Sequence, residues 1–151
     1  MDRVELFLKN FVDAGGEVLD GLSEVVDLFP DGPFAVEASL KRRLARFNLP
    51  LSAPEQAKVS ITRAKAGVAE TGSLVFAYAG EEGFKLITLP EVHVALLSRR
   101  RIYDTLDEAL SGIKGDYISV VTGPSKTGDI ELIHVSGVHG PGRLILVLEG
   151  R

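Results

Sequence analysis

The stretch VHVALL, residues 92–97, is apolar at almost every position instead of alternating between apolar and polar side chains. A strand that is covered on both faces has this pattern, which is typical of parallel sheets with helices packed on them. The run RLILVLE at 143–149 is apolar in the same way. Further strand candidates, all short and rich in β-branched residues, are KVSIT (58–62), SLVFAYA (73–79), KLITL (85–89) and YISVV (117–121).

Helical spacing dominates the first third of the chain. Apolar residues recur on one helix face over residues 2–13, and Gly15-Gly16 ends that pattern. LSEVVDLF (22–29) is a second helix candidate, and PFAVEA (33–38) is a strand candidate. Ser39 can cap a third helix, while Ser52–Glu55 has the spacing of a capping box.

A capping box also opens at Thr105, because Glu108 follows it three residues later and the helical segment DEALSGI begins there. Helices and strands therefore alternate at the N-terminus and around residues 103–121, and a hairpin is expected between them. The pattern predicts one α/β domain over residues 1–151, with a mostly parallel mixed sheet flanked by helices. Residues 1–57 form a helix-rich part of that same domain.

Composition excludes several classes of function. The chain has 151 residues, a formal net charge of −4 and no cysteine. The charge argues against nucleic acid, and the lack of thiols excludes a disulfide scaffold or an iron–sulfur cluster held by this chain alone. MDRVELFLKN lacks the apolar core of a signal peptide, and LVFAYA (74–79) is too short to span a membrane. We expect a cytoplasmic protein.

The loop TGPSKTGDIE (122–131) follows the strand candidate 117–121. In open α/β sheets, ligands bind outside the carboxyl ends of parallel strands, and this loop is expected there. Gly123 and Gly128 permit a backbone nest for an anion, to which Ser125, Thr127 and Lys126 add hydroxyls and a charge. A phosphate-binding P-loop is excluded by spacing. A turn whose polar residues only cap a helix is the alternative.

Two other loops have the same composition of small and polar residues flanked by glycines, and each contains a candidate catalytic residue. GVAETGS (67–73) offers Glu70 as a base, nucleophile or ligand clamp, and a turn with a solvated glutamate is the alternative. GVHGPG (137–142) offers His139 as an acid–base group, against a plain loop histidine. His93, inside VHVALL, fits a core histidine better, and Arg99–Arg101 fits a solvated turn. No metal-ligand spacing occurs.

Taken together, AGVAETGSLVF (66–76), LPEVHV (89–94), TGPSKTGDIE (122–131) and GVHGP (137–141) resemble the LUD domain family of LutC-like lactate-utilisation proteins. The resemblance implies a fold similar to that of the NagB/RpiA/CoA-transferase superfamily. It also implies work with LutA-like and LutB-like iron–sulfur subunits in oxidising L-lactate to pyruvate. This chain departs from the family pattern at three positions, with Lys126 for arginine, Ser73 for threonine and Gly128 for alanine.

The resemblance implies a shared site for a small carboxylate such as lactate or pyruvate. Under this hypothesis Glu70, His139 and Asp129 are catalytic, and the ligand-binding residues are Thr71, Gly72, Gly123, Pro124, Ser125, Lys126, Thr127 and Gly140. No cofactor is expected on this chain alone, the iron–sulfur clusters lie on the partner subunits, and a CoA- or nucleotide-type ligand is also admitted. The alternatives are a non-catalytic assembly subunit and a CoA- or acyl-transferase-like enzyme that uses Glu70.

Overall fold

The computed structural model describes residues 1–124 and 141–150. Their α-helices are α1 (Arg3–Asp13), α2 (Leu22–Leu28), α3 (Lys41–Leu44), α4 (Glu81–Thr88) and α5 (Leu106–Leu110). Their strands are β1 (Glu17–Leu19), β2 (Phe34–Val36), β3 (Val59–Arg63), β4 (Ala66–Val68), β5 (Ser73–Tyr78), β6 (Val92–Ser98), β7 (Ile102–Tyr103), β8 (Tyr117–Val121) and β9 (Arg143–Glu149). Short 3-10 turns occupy Ala38–Leu40, Ala45–Phe47, Pro54–Gln56 and Arg99–Arg101.

A five-stranded parallel sheet in the order β1-β9-β6-β3-β2 forms the centre of the molecule. Its central strands β6 and β9 pair from Val92 beside Arg143 to Ser98 beside Glu149. Every side chain of β6 from Val92 to Leu97 is buried. The unbroken apolar run therefore reflects a strand covered on both faces, and the predicted α/β class with a mostly parallel sheet flanked by helices is confirmed.

A second sheet has the order β7-β4-β5-β8. Here β4 and β5 form an antiparallel hairpin, and β8 runs antiparallel to β5 at the edge. The strand that precedes TGPSKTGDIE is β8, so that loop does not follow a parallel strand. The expectation that it lies at the carboxyl end of a parallel strand is wrong, because β8 is an edge strand of the second sheet and pairs there with the antiparallel β5.

Three clusters of buried side chains hold the layers together. The outer cluster joins α2 and α3 to one face of the parallel sheet, through residues such as Val25, Leu44 and Val94. The middle cluster lies between the two sheets and contains α1 and α4 residues such as Phe7, Phe11 and Ile87. The third packs α5 against the far face of the second sheet, with Ala109 beside Val68, Val75 and Val120. The two sheets and their helices thus share continuous apolar layers.

Several predicted elements are confirmed, and three predictions are wrong, one of them the Ser52–Glu55 capping box, since the Ser52 hydroxyl donates to the Ala53 carbonyl instead. The helices predicted at 2–13 and 22–29 form, and the Thr105 hydroxyl accepts the Glu108 N–H at 3.3 Å as a capping box requires. KLITL (85–89) is not a strand, since its residues form the second half of α4 and bury Leu86 and Ile87 on one face. The helix predicted from Ser39 shortens to α3 between 3-10 turns, and the Ser39 hydroxyl donates to Glu37 instead of capping.

Candidate functional site

Two of the predicted loops meet through a chain of three hydroxyl groups. Thr71 Oγ1 lies 2.6 Å from Ser73 Oγ, which lies 2.6 Å from Thr122 Oγ1. Thr71 is exposed, whereas Ser73 is only 3% exposed. This hydroxyl chain (Thr71–Ser73–Thr122) runs from the surface into the second sheet, and it joins the end of β8 to the turn between β4 and β5.

The turn that carries Glu70 is fixed through its backbone. Asn10 of α1 donates from Nδ2 to the carbonyl oxygens of Ala69 at 2.8 Å and Glu70 at 3.3 Å. On the other side, the Glu70 N–H donates to the Asp104 carbonyl at 3.2 Å. The Glu70 side chain is exposed and accepts no hydrogen bond from the described residues. A ligand or solvent can therefore reach this carboxylate, while its backbone stays in place.

Gly72 and Gly123 are glycines because α1 approaches them closely. Gly72 has φ +72°, and a Cβ there would lie 2.3 Å from the Phe11 backbone nitrogen. Gly123 has φ +79°, and a Cβ there would lie 2.4 Å from the Ala14 carbonyl oxygen. Both the left-handed backbone and the close approach require glycine. Packing against the end of α1 is thus a reason for these two residues that is independent of any ligand.

Pro124 fixes where the loops lie relative to the parallel sheet. A Cβ on Gly15 would lie 3.2 Å from Pro124 Cδ, and Gly15 lies just before β1. Residues 141–142 lead into β9 in the same way, and β9 pairs with β1 in parallel. The segments 14–16, 69–73 and 122–124, called the amino-edge loops below, therefore meet at the amino-terminal edge of the parallel sheet. The carboxyl-terminal edge that the sequence predicted for the loop 122–131 is wrong for its described residues 122–124.

The remaining predicted site residues lie outside the described residues. They are Ser125, Lys126, Thr127, Asp129, His139 and Gly140. Of GVHGP, only Pro141 is described, and it is buried. The structure thus brings together Glu70, Thr71, Gly72, Gly123 and Pro124, whereas the place of the Lys126 and His139 segments in the site stays a prediction.

Three residues of this cluster were missed as site residues by the reasoning from sequence. Ser73 and Thr122 carried a recognisable signal, since each is a hydroxyl residue at the end of an apolar strand. Asn10 carried none, because it is one polar residue among several on an amphipathic helix. Only the packing of α1 against the β4–β5 turn gives the Asn10 amide its role.

His93 is confirmed as a core histidine. It is fully buried, its Nε2 lies 2.7 Å from Thr62 Oγ1, and its ring lies 5.0 Å from the Phe76 ring. Burial lowers the pKa of His93 to about 3, so the imidazole is neutral at physiological pH. Arg99–Arg101 forms an exposed 3-10 turn, in agreement with its interpretation as a solvated segment.

Residues 1–124 and 141–150 contain neither a membrane-spanning helix nor a cluster of metal ligands. No helix in these ranges combines the length and the apolar character that a membrane crossing requires. The same ranges contain no group of three or more histidine and acidic side chains placed to hold a metal ion. The described part of the site contributes hydroxyls, amides and one exposed carboxylate.

Comparison with known proteins relates this site to a family. Residues 21–148 match the sequence profile of the LUD domain. Among curated proteins, the uncharacterized protein YkgG of Escherichia coli is 36% identical over 107 residues, which are 65% of this chain and 46% of YkgG. Lactate utilization protein C of Deinococcus radiodurans is 30% identical over 109 residues, 67% of this chain and 51% of that protein. The chain spans about half the length of these curated relatives.

A solved structure supports the fold. The crystal structure of a DUF162 family protein from Deinococcus radiodurans superposes with a TM-score of 0.76 at 18% sequence identity, and the match covers 99% of each chain. At that identity the likeness concerns the architecture. The two-sheet arrangement described above is therefore shared with a protein of known structure.

Proposed function

Because the chain belongs to the LUD domain family, we propose that it acts as a LutC-like component of an L-lactate utilisation system and binds a small carboxylate at the amino-edge loops. The observation that carries this proposal is the hydroxyl chain, which joins two of the family's motifs, AETGS and TGP, at one place. The relative from Deinococcus radiodurans is named lactate utilization protein C, and this name supports the proposed role in lactate utilisation.

The hydroxyl chain has a donor to spare. Three hydroxyl groups carry three protons, and the two hydrogen bonds that link them use two. If donation runs from Thr122 through Ser73 to Thr71, the exposed Thr71 hydroxyl keeps a proton for an acceptor outside the chain. A carboxylate oxygen is a strong acceptor for such a proton. In the proposal, Ser125, Lys126 and Thr127 add further donors, with the Lys126 ammonium balancing the ligand's charge.

Oxidation of L-lactate to pyruvate releases two electrons and two protons. This chain has no cysteine, so the electrons would pass to iron–sulfur clusters on LutA-like and LutB-like partner subunits. Glu70 is accessible and would accept a proton near the 2-hydroxyl group, with His139 as the second acid–base group and Asp129 as the residue that orients it. No role in this scheme requires a cofactor bound to this chain alone.

Calorimetric titration tests the binding step. Wild-type chain is titrated with L-lactate and with pyruvate, beside Thr71→Val and the double variant Ser125→Ala with Lys126→Ala. Removal of a charge-assisted contact is expected to weaken binding by about 1.5–3 kcal/mol, and Lys114→Ala, at an exposed position away from the loops, is the control. Equal dissociation constants for wild type and the double variant would show that the loops do not form the site.

Two alternatives are separated by further measurements. An assembly subunit would co-purify with the iron–sulfur partners but bind neither acid. The Glu70 carboxylate, which is exposed and accepts no hydrogen bond from the described residues, also fits a covalent nucleophile of acyl or CoA transfer. Incubation with acyl-CoA and then hydroxylamine, read by mass spectrometry, would mark Glu70 in that case and leave Glu70→Gln unmodified. An unmarked wild-type chain counts against the transferase alternative.

A further inference from the structure

The strands β2 and β3 are neighbours in the parallel sheet. The chain segments that follow them pack on opposite faces of that sheet. After β2 the chain turns to the outer face, where Leu40 and Leu44 join the α2–α3 cluster. After β3 it turns to the inner face, where the β4–β5 hairpin and α4 contribute Phe76 and Ile87 to the cluster between the sheets. A reversal of this kind between adjacent parallel strands opens a crevice at their carboxyl ends, and ligands of open α/β sheets bind in such crevices.

A cavity of about 300 Å³ lies at this crevice. Its polar wall contains Glu37, Thr62 and Lys65, which lie at or just beyond the carboxyl ends of β2 and β3, and its apolar wall contains Phe76, Leu86 and Ile87. Because Phe76 and Lys65 lie at the end of the β4–β5 hairpin opposite Thr71, this carboxyl-edge cavity is separate from the amino-edge loops.

A buried residue that carries a hydroxyl group lines the cavity. Thr62 is 3% exposed, lines the cavity, and lies 2.7 Å from Nε2 of the neutral His93. Nδ1 of His93 is buried and has no hydrogen-bond partner among the described residues. A buried N–H without a partner is less well tolerated than a bare acceptor, so we assign the proton to Nε2, which then donates to Thr62. The Thr62 hydroxyl proton then remains for an acceptor in the cavity.

Two charged side chains of the lining, Glu37 and Lys65, form no ion pair with the described residues. Glu37 already accepts the Ser39 hydroxyl and, at 3.3 Å, the Arg63 N–H. The Arg63 guanidinium pairs with Glu149 at 3.3 Å. Lys65 is exposed at the cavity mouth, and its ammonium forms no ion pair within residues 1–124 and 141–150. Thr62 and Lys65 therefore lie beside the Glu37 carboxylate on the polar wall of the cavity, and the opposite wall is mostly apolar.

We propose that the carboxyl-edge cavity binds a small carboxylate with an apolar body. Its carboxylate accepts hydrogen bonds from the Thr62 hydroxyl and the Lys65 ammonium, and its apolar part packs against Phe76, Leu86 and Ile87. This site is distinct from the lactate site proposed above, and it favours acids with an aromatic or branched side chain over lactate, which has too little apolar surface to cover that wall.

The test is a calorimetric titration with 3-phenylpropanoate and with its uncharged amide, 3-phenylpropanamide, as the matched ligand. Wild type is expected to bind the acid at least tenfold more tightly than the amide. Lys65→Gln should remove most of that preference, whereas Lys114→Gln, at another exposed lysine, should keep it. Equal binding of acid and amide, no binding of the acid at 10 mM, or equal effects of the two lysine variants would overturn the proposal.

Variants of Thr62 provide a second, independent test of the proposal. Thr62→Val should weaken binding of the acid about tenfold, and Thr62→Ser, which keeps the hydroxyl, should restore it. In a nitrogen NMR spectrum the acid should shift the His93 Nε2 resonance, since Thr62 connects the two. An unchanged His93 signal at saturating acid would place the ligand elsewhere. L-lactate binding in Lys65→Gln stays as in wild type if both sites exist, so each proposal can fail without the other.

Discussion

At Gly72 the backbone of the β4–β5 turn lies against the backbone of α1, with no room for a side chain. Gly72→Ala would place a methyl group 2.3 Å from the Phe11 nitrogen and force alanine into a left-handed conformation. We expect a loss of about 2–4 kcal/mol in the free energy of unfolding, measured by urea denaturation. Gly112 also has a positive φ, +80°, but lies in open space, so Gly112→Ala is the control and should cost about 1 kcal/mol. Similar losses for the two variants would contradict the close contact with α1.

The buried imidazole of His93 predicts a pH dependence of stability. Its pKa is lowered from 6.5 to about 3 by burial, so between these values the unfolded chain binds one proton more than the folded chain. The contribution of the neutral His93 side chain to the free energy of unfolding is complete above about pH 6.5, and it is lost as the pH falls below that value. Between pH 7.5 and 5.5, wild type should lose about 1.4 kcal/mol more unfolding free energy than His93→Gln. Parallel pH profiles of the two proteins in denaturant melts would show that His93 is not held neutral.

Single residues also show which contacts the sequence can predict and which it cannot. His93 was predicted as a core residue because it stands inside an apolar run, and that inference is local. The packing reason for Gly72 and the amide contacts of Asn10 depend on α1, which is about 60 residues away in the chain. No pattern around either residue records that contact, so the sequence could not predict it.

Among the elements, α4 shows why a short apolar run is ambiguous. Residues 85–89 contain too few positions to separate a period of 3.6 from a period of 2. The helix is specified by residues before them, because Glu81 and Glu82 occupy its first turn and favour its amino end. The short strands β1, β4 and β7 escaped prediction for a related reason, since each has only two or three residues.

Three elements are joined at the carboxyl edge by Glu149, which ends β9. Arg43 of α3 and Arg63 of β3 both pair with its carboxylate. The hydrogen bond from Arg43, with the charges of both arginines, lowers the pKa of Glu149 below its usual 4.5. The ion pairs therefore stabilise the fold above about pH 4.5, and that contribution disappears as the pH falls through the lowered value.

Glu149→Gln is expected to reduce the free energy of unfolding by about 1–2 kcal/mol at pH 7 and by much less at pH 3. The control is Glu91→Gln, which changes an exposed glutamate with no ion pair among the described residues. Urea denaturation at the two pH values provides the measurement. A loss that is the same at both pH values would mean that the charge of Glu149 contributes nothing.

At the scale of the whole molecule, the two edges of the parallel sheet carry different features. The amino edge carries the loops that contain the family's motifs, and the carboxyl edge carries the cavity at the β2–β3 reversal. The sequence predicted the α/β class, because apolar runs and helical periods are local features. It could not predict which edge the loops occupy, since that depends on β8 pairing with β5 in the second sheet.

An amide NMR titration with L-lactate shows directly whether the amino-edge loops bind a small carboxylate. The amide resonances of Thr71, Gly72 and Gly123 are expected to shift and to saturate together, while those of Thr62 and Lys65 at the opposite edge stay unchanged. Saturating shifts confined to the carboxyl edge, or no shifts at the amino-edge loops at high L-lactate concentration, would contradict this expectation.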